Sequence, residues 1–144
     1  MLVVTTMPDI FHKFSSILGT SGCGKSLLIK SLAANAEPGT VTKHAASVPT
    51  TGSNIVNVQK VKGEGTQDQP PDVVSIREIG GTMAPIWKNM VESGKTQIIY
   101  CVDASAPEKI GNATINLVEL LHQPSLQTAP VLIVFTKTDL KAAR

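Results

Sequence analysis

Gly19-Thr20-Ser21-Gly22-Cys23-Gly24-Lys25-Ser26 puts three glycines, an ammonium and three hydroxyls into eight consecutive residues. The string satisfies G-x-x-x-x-G-K-[S/T]. Glycines let main-chain N–H groups turn inward around an anion, in conformations that a side chain blocks. Lys25 is placed to reach the β- and γ-phosphates of a nucleotide and the Ser26 hydroxyl to ligate Mg²⁺. A helix opening there adds the positive end of its dipole. The bland alternative is a Gly-rich turn whose helix happens to open with Lys-Ser. The apolar strand before the string and the apolar-faced helix after it favour the phosphate loop.

A second group sits far downstream. Thr136-Lys137-Thr138-Asp139 is one residue away from N-K-x-D, a guanine-reading motif. Asp139 offers acceptors to the N1 and N2 donors of guanine, and adenine has no such donor pair, so the carboxylate would be left unpaired against it. The Lys137 stem can cover the base plane. Thr136 stands in the place of the commoner Asn; its hydroxyl can still bond the phosphate loop, with less reach. Alone, such a string is as well read as a solvated turn after a strand; behind a phosphate loop it carries weight.

Other reactive residues have two readings each. Cys23 lies inside the phosphate loop beside a helix N-terminus, where a thiolate is stabilised, and reads either as a redox-sensitive thiol or as loop filler. Cys101, on an apolar strand, reads as core. Trp87 reads as packing for the segment around Pro85 or as an exposed anchor for a partner. Asp103-Ala104-Ser105, at a strand end, reads as a cap for the following helix. His12, His44 and His122 show no mutual spacing that suggests a site.

These groups need elements to position them. Residues 14–18 read as a short strand running into the glycines. Residues 26–32 read as a helix with Leu28, Ile29 and Leu32 on one face, stopped by Glu37-Pro38-Gly39. Residues 39–53 read as loop, 55–61 and 73–76 as strands, and the breaker cluster 62–71 as a long hairpin tip between them. A helix is expected to begin around Pro85 and end by Gly94. Gln97–Val102 has the unbroken apolar run of a strand buried on both faces. A helix over 108–122 and a last strand over 131–135 follow. Strands alternating with helices predict an α/β three-layer sandwich with a mostly parallel sheet and helices on both faces.

The chain has 144 residues, 42% of them apolar and 17% charged, enough for one domain with a buried core. A net charge of +2 gives no case for nucleic acid or an acidic membrane as the main partner. The two cysteines form no CxxC pair, so neither a disulfide framework nor a zinc site is supported. The apolar start Met1-Leu2-Val3-Val4 is too short for a secretory leader, no stretch is long enough for a membrane span, and Leu2 excludes N-myristoylation. A cytoplasmic protein without a direct membrane anchor is the expectation.

Pro49-Thr50-Thr51-Gly52 and Arg77-Glu78-Ile79-Gly80-Gly81 complete a pattern. With the phosphate loop they resemble the ADP-ribosylation factor (Arf) branch of small GTPases, which carries P-T-x-G in switch I and W-D-x-G-G before switch II. The run Arg77–Trp87 is similar to a divergent form of the branch with R-E-L-G-G and G-P-I-W in these places. The resemblance covers roughly residues 16–140. It implies a small GTPase G domain of the P-loop NTPase class over 14–144, preceded by an N-terminal extension over 1–13. It implies GTP and GDP as ligands with Mg²⁺, protein effectors and regulators that meet the switch regions, and roles in intracellular traffic. Gly19, Thr20, Ser21, Gly22, Cys23, Gly24, Lys25 and Ser26 would hold the phosphates, and Thr136, Lys137 and Asp139 the base. Thr50 (or Thr51, one register off) would join Ser26 and Glu78 at Mg²⁺. Gly80 would give an N–H to the γ-phosphate and Gly81 would let switch II move. The hairpin over 54–77 would be the interswitch, which slides as the nucleotide changes.

Three departures from the branch stand out. Glu78 replaces Asp, moving the carboxylate by about 1.5 Å. Thr82 replaces the water-orienting Gln, which predicts very slow hydrolysis or none, as in a nucleotide-holding scaffold. The branch's last strand and helix have no counterpart, which predicts that strand 131–135 is an exposed edge with one bare face. A different phosphate-loop enzyme using ATP is the third reading, disfavoured by Asp139 and Pro49–Gly52.

Overall fold

The aliphatic runs become strands of one sheet. The computed structural model describes residues 2–5, 14–34, 49–59, 73–91 and 96–140. The strands are β1 (Leu2–Thr5), β2 (Phe14–Leu18), β3 (Ser53–Gln59), β4 (Val73–Ile79), β5 (Gln97–Asp103) and β6 (Val131–Thr136). Their order across the sheet is β1-β6-β5-β2-β4-β3. β2 pairs in parallel with β4 and β5, and β5 with β6; β3 is antiparallel to β4, and β1 to β6.

Alternate residues along each strand point to opposite faces, which gives two cores. Leu18, Ile98, Tyr100 and Val102 pack with Ile79, Trp87, Ala113, Leu120 and Leu126 on one face. Ile17, Ile76, Cys101 and Val134 pack with Cys23 and Ile29 on the other. Helix α1 (Lys25–Ala33) covers β3 and β4, and α3 (Pro107–Leu121) covers β5, giving the expected three layers. With so few aromatics, one pair anchors the first core. Trp87 meets Tyr100 edge-on, with ring centroids 6.1 Å apart and planes at 82°. Both polar tips are satisfied: the Trp87 Nε1–H donates to Gly80 O at 3.0 Å and the Tyr100 hydroxyl to Ala113 O at 2.7 Å.

The helix expected from Pro85 is present only as a short turn behind a 3-10 segment. Gly81–Ile86 wind as a 3-10 helix with Pro85 inside, and α2 (Trp87–Met90) is a single turn after it. The Gly80 carbonyl accepts the Met83 N–H at 3.1 Å, an i→i+3 bond that starts the segment tight. Strand β6 is not an edge either. Leu2–Thr5, part of the stretch read as an extension, pairs with it from Leu2↔Phe135 to Thr5↔Leu132. A short Leu-Val-Val-Thr run suits a strand, and it satisfies a row of N–H and C=O groups that β6 would otherwise present. Nor is the β6 face bare, since Val134 is buried and its neighbours in the strand are half-buried. The hairpin tip at 62–71, the helix stop at 37–39, Gly94 and most of the loop at 39–53 lie outside the described residues. Among the described residues no helix is long and apolar enough to cross a membrane.

Candidate nucleotide site

Because β2, β4, β5 and β6 are parallel, their C-terminal ends (Leu18, Ile79, Asp103 and Thr136) open along one edge of the sheet. In open α/β sheets that edge is where ligands bind.

The phosphate loop leaves β2 and ends at Gly24, which caps α1 with φ 94°, a left-handed conformation that favours glycine. No side chain caps this helix, so its first-turn N–H groups are left for an anion. Lys25 is only 5% exposed. Its ammonium lies within the curl of the loop, donating to Gly19 O at 2.8 Å and Thr20 O at 3.1 Å, with the Cys23 Sγ at 3.8 Å. Cys23 carries a perturbed thiol: a hydrogen bond from Cys101 and the nearby Lys25 charge outweigh burial and bring it down to about 7. The same bond and burial push the Cys101 thiol far up.

Three oxygens converge beside the loop. The Ser26 hydroxyl donates to Glu78 Oε1, the Thr50 hydroxyl donates to the same oxygen at 3.1 Å, and the two hydroxyls lie 3.3 Å apart. An all-oxygen set of one carboxylate and two hydroxyls fits Mg²⁺. The longer arm of Glu78 reaches both hydroxyls while the residue stays 5% exposed. Thr51, the other register, is exposed. The Gly80 N–H donates to Gly52 O at 2.9 Å. Gly81 lies flat on the phosphate loop: a Cβ there would be 2.2 Å from Ser21 N and 2.5 Å from the Thr20 carbonyl carbon. Close approach by itself demands glycine at this position. Thr82 is exposed on the 3-10 helix, and Trp87, at 1% exposure, is packing and no exposed anchor.

The downstream string reaches the same edge. The Thr136 hydroxyl donates to Cys23 O at 2.5 Å and lies 3.1 Å from Val102 O, so it ties β6 to the loop despite its short reach. Lys137 adopts φ 54°, a strained value for a side chain, and its ammonium pairs with Asp103 Oδ2 at 2.6 Å. Asp103 does not cap α3, whose N-cap is Ala106. Its Oδ1 instead accepts from the Ser105 N–H at 3.0 Å and the Ser105 hydroxyl at 2.6 Å. Burial raises the Asp103 carboxyl, but these bonds and Lys137 outweigh it and hold the group below the usual carboxylate range. Asp103 is thus a site residue that sequence reasoning set aside. Its signal was an acid at the C-terminal end of a mostly buried strand. Asp139 is exposed in the turn that follows, closed by Leu140 N–H to Lys137 O at 3.1 Å.

A cavity of about 270 Å³ runs between these groups, lined by Ser21, Lys25, Ser26, Thr50, Glu78 and Lys137 among others. A larger one, about 430 Å³, lies between the 3-10 helix and α3 against Lys88, Asn116, Glu119 and His122, and holds none of the phosphate-binding chemistry.

Comparison with known proteins agrees with this arrangement. The chain is 30% identical over 132 residues to ADP-ribosylation factor-like protein 16 of Homo sapiens, covering 90% of this chain and 61% of that protein. It is 28% identical over 130 residues to ADP-ribosylation factor-like protein 3 of Caenorhabditis elegans, covering 88% of this chain and 61% of the relative. The match therefore spans about three fifths of the length of these relatives. Residues 12–144 match the ADP-ribosylation factor family, and the chain belongs to it.

Proposed function

We propose that this chain binds GTP and GDP and acts as a nucleotide-dependent switch with very slow hydrolysis. The observation that carries the reading is convergence: the loop 19–26, the Ser26–Thr50–Glu78 oxygens and the Thr136–Asp139 turn meet at one sheet edge. The loop amides and Lys25 would take the phosphates, and Asp139 the guanine edge. Ser26, Thr50 and Glu78 supply oxygens for Mg²⁺, which when bound neutralises phosphate charge. The Gly80 N–H, now held by Gly52 O, is the donor for which a γ-phosphate would compete. Winning it would release switch I from switch II and change the surface offered to effectors. Ile55, Val73 and Ile86 are exposed apolar residues beside that region. A cytoplasmic role in membrane traffic follows from the family alone. Thr82 favours a second reading, a holder that does not hydrolyse, because its side chain is too short to orient water.

Displacement of a fluorescent GDP decides the ligand. GTP and GDP should compete, ATP should fail at millimolar levels, and chelating Mg²⁺ should weaken binding; equal competition by ATP refutes the reading. Single-turnover hydrolysis should fall below roughly 10⁻⁴ per second, the intrinsic scale of a small GTPase without its activator. A faster rate removes the role assigned to Thr82, and no turnover at all supports the holder.

A further inference from the structure

The nucleotide scheme uses the main chain of Cys23 and leaves its thiol without a task. That thiol and Cys101 are the chain's two cysteines, they lie 78 positions apart in sequence, and they share one buried core cluster. Gly19 is the spacer that lets them meet. A Cβ on Gly19 would lie 2.3 Å from the Cys101 carbonyl oxygen and 2.8 Å from the Cys23 Sγ, so the bare backbone at 19 allows the loop thiol to reach β5. The Cβ position of Gly19 thus faces both the Cys101 main chain and the Cys23 Sγ, which sets the two residues side by side in one cluster. A disulfide needs an S–S length of about 2.05 Å, which two neighbours of one cluster would reach by side-chain rotation with a small movement of the loop. The Lys25 ammonium, 3.8 Å from the Cys23 Sγ, favours the thiolate on the loop side of the pair. The cover over Cys23 is thin, since Ser21 and Gly22 are exposed and Gly22 has open space around it.

We infer that Cys23 and Cys101 form a reversible disulfide that fastens the phosphate loop to the central strand β5, so that a peroxide closes the chain to nucleotide. In the first step the Cys23 thiolate attacks a peroxide oxygen, the O–O bond breaks, and Cys23 sulfenic acid and hydroxide result. In the second the Cys101 thiol attacks the sulfenic sulfur, the S–O bond breaks, and a disulfide and water form. Two thiols and one hydrogen peroxide thus give one disulfide and two waters, and a dithiol reductant reverses the change. The bond draws Cys23 toward β5. The loop amides shift, and so does the Cys23 carbonyl that accepts the Thr136 hydroxyl. Both the phosphate and the base side of the site are disturbed at once.

The test treats the folded chain with hydrogen peroxide, blocks free thiols, and maps tryptic peptides without reductant. The expected product joins peptide 14–25 to peptide 96–109, the fragments that carry Cys23 and Cys101. Dithiothreitol should release them. Only sulfenic or sulfinic acid on Cys23, or crosslinks between chains, overturns the proposal. The second arm rests on the guanine-nucleotide reading. Oxidised chain should bind fluorescent GDP at least about tenfold more weakly, the worth of one charge-assisted hydrogen bond. Cys101→Ala should bind as the reduced wild type does and ignore the oxidant. Oxidised wild type that binds unchanged overturns the regulatory claim. The mapping uses wild-type protein, so it decides the bond even if the variant does not fold. A chain that crosslinks but never binds guanine nucleotide refutes the functional reading and the closure with it, and leaves the disulfide supported.

Discussion

Replacing Trp87 with Phe isolates one buried N–H. Trp87 is 1% exposed, its Nε1–H is bonded to Gly80 O at 3.0 Å, and its ring meets Tyr100 edge-on. Phenylalanine keeps an aromatic ring in the same core but deletes the donor. The Gly80 carbonyl still accepts the Met83 N–H, so it is weakened rather than orphaned, and the lost bond is worth about 1 kcal/mol. The smaller ring also leaves a void; at about 0.8 kcal/mol per buried methylene equivalent, the missing part of the indole adds about 1–2 kcal/mol. The total is about 2–3 kcal/mol. For a chain of this size that is a drop in melting temperature of about 10 °C. Far-UV circular dichroism reads it without relying on the lost fluorophore. Tyr100→Phe removes only the hydroxyl bonded to Ala113 O, and because its ring touches Trp87 edge-on the two substitutions should be measurably coupled in a double-mutant cycle. A Trp87→Phe melt within about 2 °C of wild type would show that Trp87 does not hold the start of the 3-10 segment.

Gly81→Ala drives a methyl into the Ser21 and Thr20 main chain, so the 3-10 turn must retreat by about 1 Å at a cost of about 1–3 kcal/mol; an unchanged urea midpoint would contradict the close approach. Thr136→Ala cuts the tie to Cys23 O and should weaken fluorescent GDP binding about tenfold, with Thr136→Ser close to wild type; equal affinity for all three would remove Thr136 from the site. Asp103 titrates below its usual value in the fold, so its pairing stabilises the chain above about pH 4 and is lost as pH falls through the folded value. Between about pH 5 and pH 3 the wild-type melting temperature should therefore fall more steeply than that of Asp103→Asn, and parallel curves would refute the pairing.

Local signals were strong where a residue type admits one use. Gly-rich spacing followed by Lys25-Ser26 announced a loop and a helix start, and the apolar runs of β5 and β6 announced strands, the first of them mostly buried. The Pro85 segment misled because proline is equally at home in a first α-helical turn and in a 3-10 helix, and the deciding local bond, Met83 N–H to Gly80 O, leaves no mark on the apolar pattern. Asp103 was legible as an acid at a strand end, but its partner Lys137 lies 34 residues on, a distance over which spacing carries no information. The contact of Cys23 with Cys101 was hidden for the same reason, and so was the pairing of Leu2–Thr5, a run too short to announce itself.

That last pairing sets a timetable for the chain's maturation. β1 and β6 are separated by about 130 residues, so at roughly 5–20 residues per second β1 emerges from the ribosome some 6–26 s before its mate. Among the described residues no other ladder of the sheet bridges so wide an interval. The outermost rung should therefore be the last to close, after the other described strands have come together. Amide exchange on nascent or refolding protein should show protection reaching β6's outer flank only after β2, β4 and β5 are shielded.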